Sequence, residues 1–276
     1  MMFLFRLLSL LPLAWLHAGG YVLGWLVYCA SPEYRRRLQS NAASAGLSPR
    51  HWRPAVGAAG HMVAELPRLW LGRAVPVRWS GEAPIEAALT QGRGIVFLTP
   101  HLGCFEVTAQ AFAARYGVAG HPLTVLFRPP RKARLSELVR VARQRPGLLT
   151  APASLAGVRQ LLRALKAGHA VGLLPDQVPP ANMGVWTPFF GQPAYTMTLA
   201  ARLAQQSGAL IVLAWGERLN LGRGYVFHVE PMGSALSPEL PAAVHQINQA
   251  MEALILRNPG QYLWGYARYK SPREEL

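Results

Sequence analysis

The chain has 276 residues, of which 51% are hydrophobic and only 15% charged, a charge fraction well below the ~25% usual for soluble domains. That length suits one large domain or two small ones, and two cysteines, Cys29 and Cys104, exclude a disulfide framework and a cysteine zinc site. A net charge of +15 calls for acidic partners: anionic lipid, phosphorylated ligands, acidic proteins or nucleic acid.

In chain order, residues 7–30 come first: apolar, without Asp, Glu, Lys or Arg, and long enough for one membrane span. Trp15, Tyr21, Trp25 and Tyr28 suit a membrane interface, and the stretch is too long for the core of a cleaved signal peptide. Gly19-Gly20 is where it could break into two interfacial helices. Arg35-Arg36-Arg37 follow the segment against Arg6 alone before it, so the positive-inside rule puts the body of the protein in the cytoplasm. The chain is therefore expected to divide into an anchor, residues 1–31, and a domain, residues 32–276, whose chemistry should survive loss of the anchor.

Beyond the anchor, residues 51–71 read as a helix with Trp52, Val56, Met62 and Leu66 buried. Residues 95–99 read as a strand stopped by Pro100, followed by a helix through about residue 115. A second strand, 123–127, ends in Arg128-Pro129-Pro130. A basic helical pattern covers 133–143. Ser154 caps a helix over 155–167. Its apolar stripe (Leu155, Val158, Leu161, Leu162, Leu165) lies opposite Arg159, Arg163 and Lys166. A strand over 171–174 ends in Pro175-Asp176-Gln177. A helix over 196–206 and strands over 210–214 and 225–229 complete the pattern. Alternation of this kind predicts an α/β fold with a mixed, mostly parallel sheet flanked by helices.

Three polar residues stand just past predicted strand ends: His101, Arg128 and Asp176. Ligands of open α/β sheets bind outside the carboxyl ends of the strands, so parallel neighbouring strands would place all three in one crevice. The most informative stretch is His101-Leu-Gly-Cys-Phe-Glu106. Imidazole is the side chain best matched to general-base work near neutrality, and a carboxylate can orient it and support its charge. On a continuous helix residues five apart diverge by ~140°, so the pair meets only if His101 lies in the turn before a helix and Glu106 inside it. No second His stands at helical spacing, which argues against a metal site. Cys104 reads as a small buried hydrophobe rather than a nucleophile.

These residues resemble the signature of the lysophospholipid acyltransferase superfamily, a His, four residues, then Asp or Glu. The ordered set resembles the bacterial lipid A late acyltransferases in particular. That set comprises Phe127-Arg128-Pro129, Leu174-Pro175-Asp176-Gln177, Thr187-Pro-Phe-Phe-Gly191, Thr196-Met-Thr-Leu-Ala-Ala-Arg-Leu-Ala204 and Asn258-Pro-Gly-Gln-Tyr-Leu-Trp264. The resemblance runs over nearly the whole chain, N-terminal anchor included. The family usually carries a His and two Arg soon after the final Trp; here Gly265-Tyr266-Ala267-Arg268-Tyr269-Lys270 keeps only Arg268.

The resemblance implies a glycerolipid acyltransferase-like fold and transfer of a fatty acyl chain from acyl carrier protein to a hydroxyl of a lipid A precursor, at the cytoplasmic face of the inner membrane. His101 would take the hydroxyl proton, Glu106 would orient His101, and no acyl-enzyme, metal or cofactor is implied. Arg128 stands for the oxyanion or for acceptor phosphate. Asp176 stands for an acceptor contact, a salt bridge to Arg128, or a simple turn. Arg159 and Arg163 stand for carrier-protein docking, and Arg268 for an acceptor contact. Arg131, Lys132, Arg134, Arg140, Arg143 and Arg145 suit carrier protein, lipid phosphate or the anionic leaflet. A related enzyme acting on a glycerophospholipid, ornithine lipid or other glycolipid is the neighbouring reading. A non-enzymatic basic membrane protein binding nucleic acid is the reading from another class; no nucleic-acid-binding motif supports it.

Overall fold

Proline, not glycine, breaks the apolar N-terminus. In the computed structural model, which describes residues 2–127 and 145–274, α1 (Met2–Leu10) and α2 (Leu13–Ala30) are separated by Leu11-Pro12, and α2 runs unbroken through Gly19-Gly20. Helix α2 is long and apolar enough to cross a membrane. One of its faces is apolar and exposed, with Trp15, Val22, Leu23, Leu26 and Val27. The other packs on α5 (Pro54–Ala64) through glycines. A Cβ on Gly60 would stand 1.8 Å from the Gly20 carbonyl oxygen, and one on Gly24 would stand 2.1 Å from that of Val56, so the two backbones meet only because these side chains are absent.

The stretch 51–71 forms not one helix but α4 (Pro49–Trp52), α5 and α6 (Leu66–Leu71). Each carries a proline in its first turn, where the missing N–H costs nothing but the preceding helix must stop. Between α2 and α4 lies α3 (Pro32–Ser44), whose start is capped by Ser31 accepting from the Tyr34 N–H.

The main sheet has seven strands in the order β1 (Val77–Ser80), β9 (Tyr225–Pro231), β8 (Leu210–Arg218), β2 (Ile95–Leu98), β5 (Ala170–Leu173), β3 (Leu123–Phe127), β4 (Leu148–Pro152). Every pairing is parallel except β8 with β9. Strand β2 is fully buried because both faces of the sheet are covered. Val96 and Leu98 face a core shared with α3, α5 and helices α9 (Leu155–Lys166), α10 (Leu199–Ser207) and α11 (Leu240–Arg257). Ile95 and Phe97 face a second core under α7 (Ala83–Thr90) and α8 (Phe105–Phe112). The mixed, mostly parallel α/β architecture expected from the alternation of elements is present.

Two boundaries move. Thr196 and Met197 do not open a helix but end β7 (Gln192–Met197), paired antiparallel with β6 (Gly184–Phe189). The Thr196 hydroxyl is tied there by Asn248 at 3.2 Å, and α10 starts only at Leu199. The hairpin turn holds Phe190 and Gly191 at φ 47° and 71°, the positive values that a two-residue turn requires. Phe190 is kept there by its N–H donating to Glu252 at 2.8 Å and by its ring lying on Trp264. The expected basic helix over 133–143, and Arg128, Arg131, Lys132, Arg134, Arg140 and Arg143 with it, lie outside the described residues.

Candidate active site

The neighbouring parallel strands β2, β5 and β3 all end at one edge of the sheet, so His101 and Asp176 leave their strands side by side. The Asp176 carboxylate grips His101 twice. Oδ2 accepts from the His101 backbone N–H at 2.8 Å, and Oδ1 accepts from ring Nδ1 at 2.8 Å. Burial pushes the Asp176 carboxyl up, but the His101 charge, its two hydrogen bonds and the nearby Arg268 outweigh this, so it sits below the ordinary carboxylate range. An ionised carboxylate only accepts, so Nδ1 carries the hydrogen and the Nε2 lone pair is available. The Gln177 amide donates to that lone pair at 3.0 Å.

The partner of Nδ1 is thus Asp176, not Glu106 as the signature spacing suggested. Glu106 lies in the first turn of α8 in the wall of the same cleft, with its Oε2 accepting from the Trp70 indole N–H at 3.2 Å. Arg145 donates to the carbonyls of Leu69 and Trp70, fixing the end of α6, and its charge acts on Glu106. Phe105 packs edge-on against the His101 ring, 5.0 Å between centroids.

The loop 101–104 is stitched from two sides. Gly103 N–H donates to the Gln261 carbonyl, Leu263 N–H to the His101 carbonyl and Cys104 N–H to the Gly216 carbonyl. The Asn258–Trp264 run thus serves as a backbone splint for the 101–104 loop. Gly103 has φ 60°, and a Cβ on it would lie 2.0 Å from the Gly216 carbonyl oxygen, so only glycine fits. Arg218 Nη2 donates to the Gly103 carbonyl at 2.7 Å while Nε and Nη2 clamp Glu65 at 2.7 Å each. Burial pushes Glu65 up, and the Arg218 charge and hydrogen bonds overcome it, aided by His17, so its carboxyl is held at about 2. Burial drives the Cys104 thiol well above its ordinary range, which leaves it protonated and un-nucleophilic.

The cleft has a volume of about 550 Å³ and is largely apolar, with His101, Glu106, Gln177 and Ser154 among its polar groups beside Trp70, Leu126, Val158 and Leu199. Phe105, Glu106, Leu126 and Leu174 also line a narrower cavity that runs under α8 between Phe97, Phe112, Leu123 and Gly172. A polar mouth opening on an apolar recess suits a long-chain acyl group.

Comparison with known proteins shows the family of the chain. Residues 61–271 match the family described as bacterial lipid A biosynthesis acyltransferase. The chain belongs to that family. It is 26% identical over 250 residues to the lipid A biosynthesis lauroyltransferase of Escherichia coli K12, covering 88% of this chain and 74% of that one. It is 25% identical over 181 residues to a lipid A biosynthesis acyltransferase of Haemophilus influenzae, covering 65% of this chain and 55% of that one. It is 26% identical over 191 residues to the palmitoleoyltransferase of E. coli K12, covering 68% and 59%. The chain thus spans little more than half the length of two of these three relatives.

Within the family frame, the other expected residues fall as follows. Arg159 and Arg163 are exposed on α9, whose Ser154 and Val158 end forms part of the cleft wall. Arg268 does not line the cleft. It is buried, donates to the Tyr195 carbonyl at 2.7 Å and the Thr196 hydroxyl at 2.5 Å, and lies over Phe189. Gln177, Trp70, Arg218 and Glu65 were not singled out from sequence. Gln177 stood inside a quoted motif, whereas Trp70, Arg218 and Glu65 reach the site only through the fold and carry no local signal.

Proposed function

We propose that the protein moves a fatty acyl chain from acyl carrier protein to a hydroxyl of a lipid A precursor, with His101 as general base and no acyl-enzyme. The observation that carries this reading is the His101 ring, held by the Asp176 carboxylate through Nδ1, with Nε2 facing an apolar cleft. The acceptor hydroxyl displaces the Gln177 amide from Nε2 and gives up its proton there. Its oxygen attacks the thioester carbonyl carbon, and Asp176 supports the imidazolium that forms. The tetrahedral intermediate then expels the carrier thiolate, which takes the proton back from the imidazolium. The products are an acyl ester and free carrier thiol.

The oxyanion needs donors. Every backbone N–H from His101 to Cys104 is already engaged. The first turn of α8, which has no side-chain cap, is adjacent and offers its N–H groups, with Arg128 the side-chain alternative. Glu106, at the junction of cleft and recess, is placed to steer the acceptor hydroxyl toward Nε2. Arg159, Arg163 and Lys166 present a basic face beside the cleft for the acidic carrier protein. Residues 1–31 serve as membrane anchor and residues 32–276 as the acyltransferase domain, facing the cytoplasm by the positive-inside rule.

The test is a reconstituted assay with purified protein, acyl-carrier donor and either a lipid A precursor or a lysophospholipid as acceptor. Transfer to the lipid A precursor, absent in His101→Ala, is the expected result. Transfer to the lysophospholipid alone would move the assignment to the neighbouring class.

A further inference from the structure

A second cavity, about 690 Å³, lies between α2, the start of α5 and the turn joining β8 to β9. It shares no lining residue with the catalytic cleft. Its wall holds Arg50, Arg53, Arg218, His17 and His61, together with the aromatic rings of Tyr21 and Trp25, and no carboxylate. Arg50 and Arg53 are exposed and form no ion pair among the described residues. The nearest buried acid, Glu65, is spent on Arg218 and His17.

The two uncompensated guanidinium groups of Arg50 and Arg53 call for negative charge. Tyr21 and Trp25 belong to the candidate membrane helix, and such rings settle at headgroup level.

We propose that this cavity is an anion site for a phosphate group, separate from the active site, with Arg50 and Arg53 gripping the charge and Arg218 adding its charge to the wall. The phosphate comes either from an anionic lipid headgroup at the membrane surface or from free phosphate. Arg218 also holds the Gly103 carbonyl, so an occupant of this cavity touches the residue that supports the catalytic turn.

The test is calorimetric titration of the full chain in uncharged detergent. One arm adds short-chain phosphatidic acid, with phosphatidylcholine as control; the other adds inorganic phosphate, with chloride as control. Arg50→Gln/Arg53→Gln should weaken binding at least tenfold, and His101→Ala not at all. Because Arg50 and Arg53 are exposed, an unchanged melting temperature is expected for the double variant and checks that it is folded. Binding in the lipid arm alone assigns a headgroup; binding in both arms, with the same sensitivity to the variants, assigns phosphate from either source. Equal affinity of the folded double variant and parent, no binding in either arm, or loss confined to His101→Ala would overturn the proposal.

Discussion

At the residue scale, the proposed base, His101, depends on Asp176 for its orientation. His101 needs its hydrogen on Nδ1 to leave Nε2 free, and only an acceptor at Nδ1 guarantees that. An Asn at 176 offers Nδ1 either its oxygen or its amino group and no charge, so Asp176→Asn should cut kcat by about 10²–10⁴ with little change in KM. Steady-state kinetics of the folded variant check this, and a loss under threefold would remove Asp176 from the mechanism. Gln177 gives a signed pH test. A carboxylate beside Nε2 favours the imidazolium, while the base must be neutral. Gln177→Glu should therefore move the acidic limb of the kcat/KM profile to higher pH, and an unmoved limb would mean that Gln177 does not face the working nitrogen. His101 and Asp176 were legible in the sequence as polar residues past strand ends. Which carboxylate serves the ring was not, because the spacing of His101 and Glu106 suggested a local pair. The decisive neighbour lies 75 residues away and is brought close by β2–β5 pairing.

At the scale of elements, β5 and α2 carry the most specific consequences. Gly172 of β5 lines the recess, and a Cβ there would lie 3.2 Å from Val125 Cγ1. Gly172→Ala should thus shorten the preferred acyl chain, read as the ratio of kcat/KM for longer and shorter donors; one methylene is worth ~1–3 kcal/mol in such a pocket. An unchanged ratio would place the chain elsewhere. Helix α2 looked separable by composition, since nothing in an apolar run tells a lipid-facing side from a side that packs on protein. In the structure Gly20 and Gly24 press on α5, and His17 meets Glu65 at 3.1 Å. Deleting residues 1–30 should then uncover the Glu65–Arg218 pair and lower activity equally on membrane-bound and detergent-dispersed acceptor. Full activity of the truncated protein in detergent would restore the simple tether. Strands β2, β3, β5, β8 and β9 were legible because each is a short apolar run between turn signals, whereas β1, β4, β6 and β7, very short or broken by proline and polar residues, were not. The splitting of residues 51–71 was legible in principle from Pro54 and Pro67, but a strong helical period masked it.

At the scale of the whole molecule, buried charge sets an acid limit to stability. Burial, with the nearby charges of His17 and Arg218, brings His61 down to about 4, so the unfolded chain takes up a proton between the ordinary imidazole value of ~6.5 and 4 that the folded one refuses. Glu65, held at about 2, repeats this between its ordinary carboxyl value and 2. In both windows the unfolded state binds more protons, so stability is complete above pH 6.5 and falls as pH drops. The melting temperature should decline from pH 7 to pH 4, and His61→Phe should flatten the upper part of that decline. Charge and composition pointed to acidic partners without saying where they bind. The fold separates a basic helix face beside the cleft from a basic cavity under α2.

The most direct test of the central claim is mass spectrometry of both lipid and protein after reaction of the purified enzyme with acyl-carrier donor and lipid A precursor. One added acyl chain is expected on the lipid with the wild type and with Cys104→Ala, none with His101→Ala, and no acyl adduct on the protein at any time. Acylated lipid from folded His101→Ala, or a chain-bearing protein that passes its acyl group to the acceptor, would contradict it.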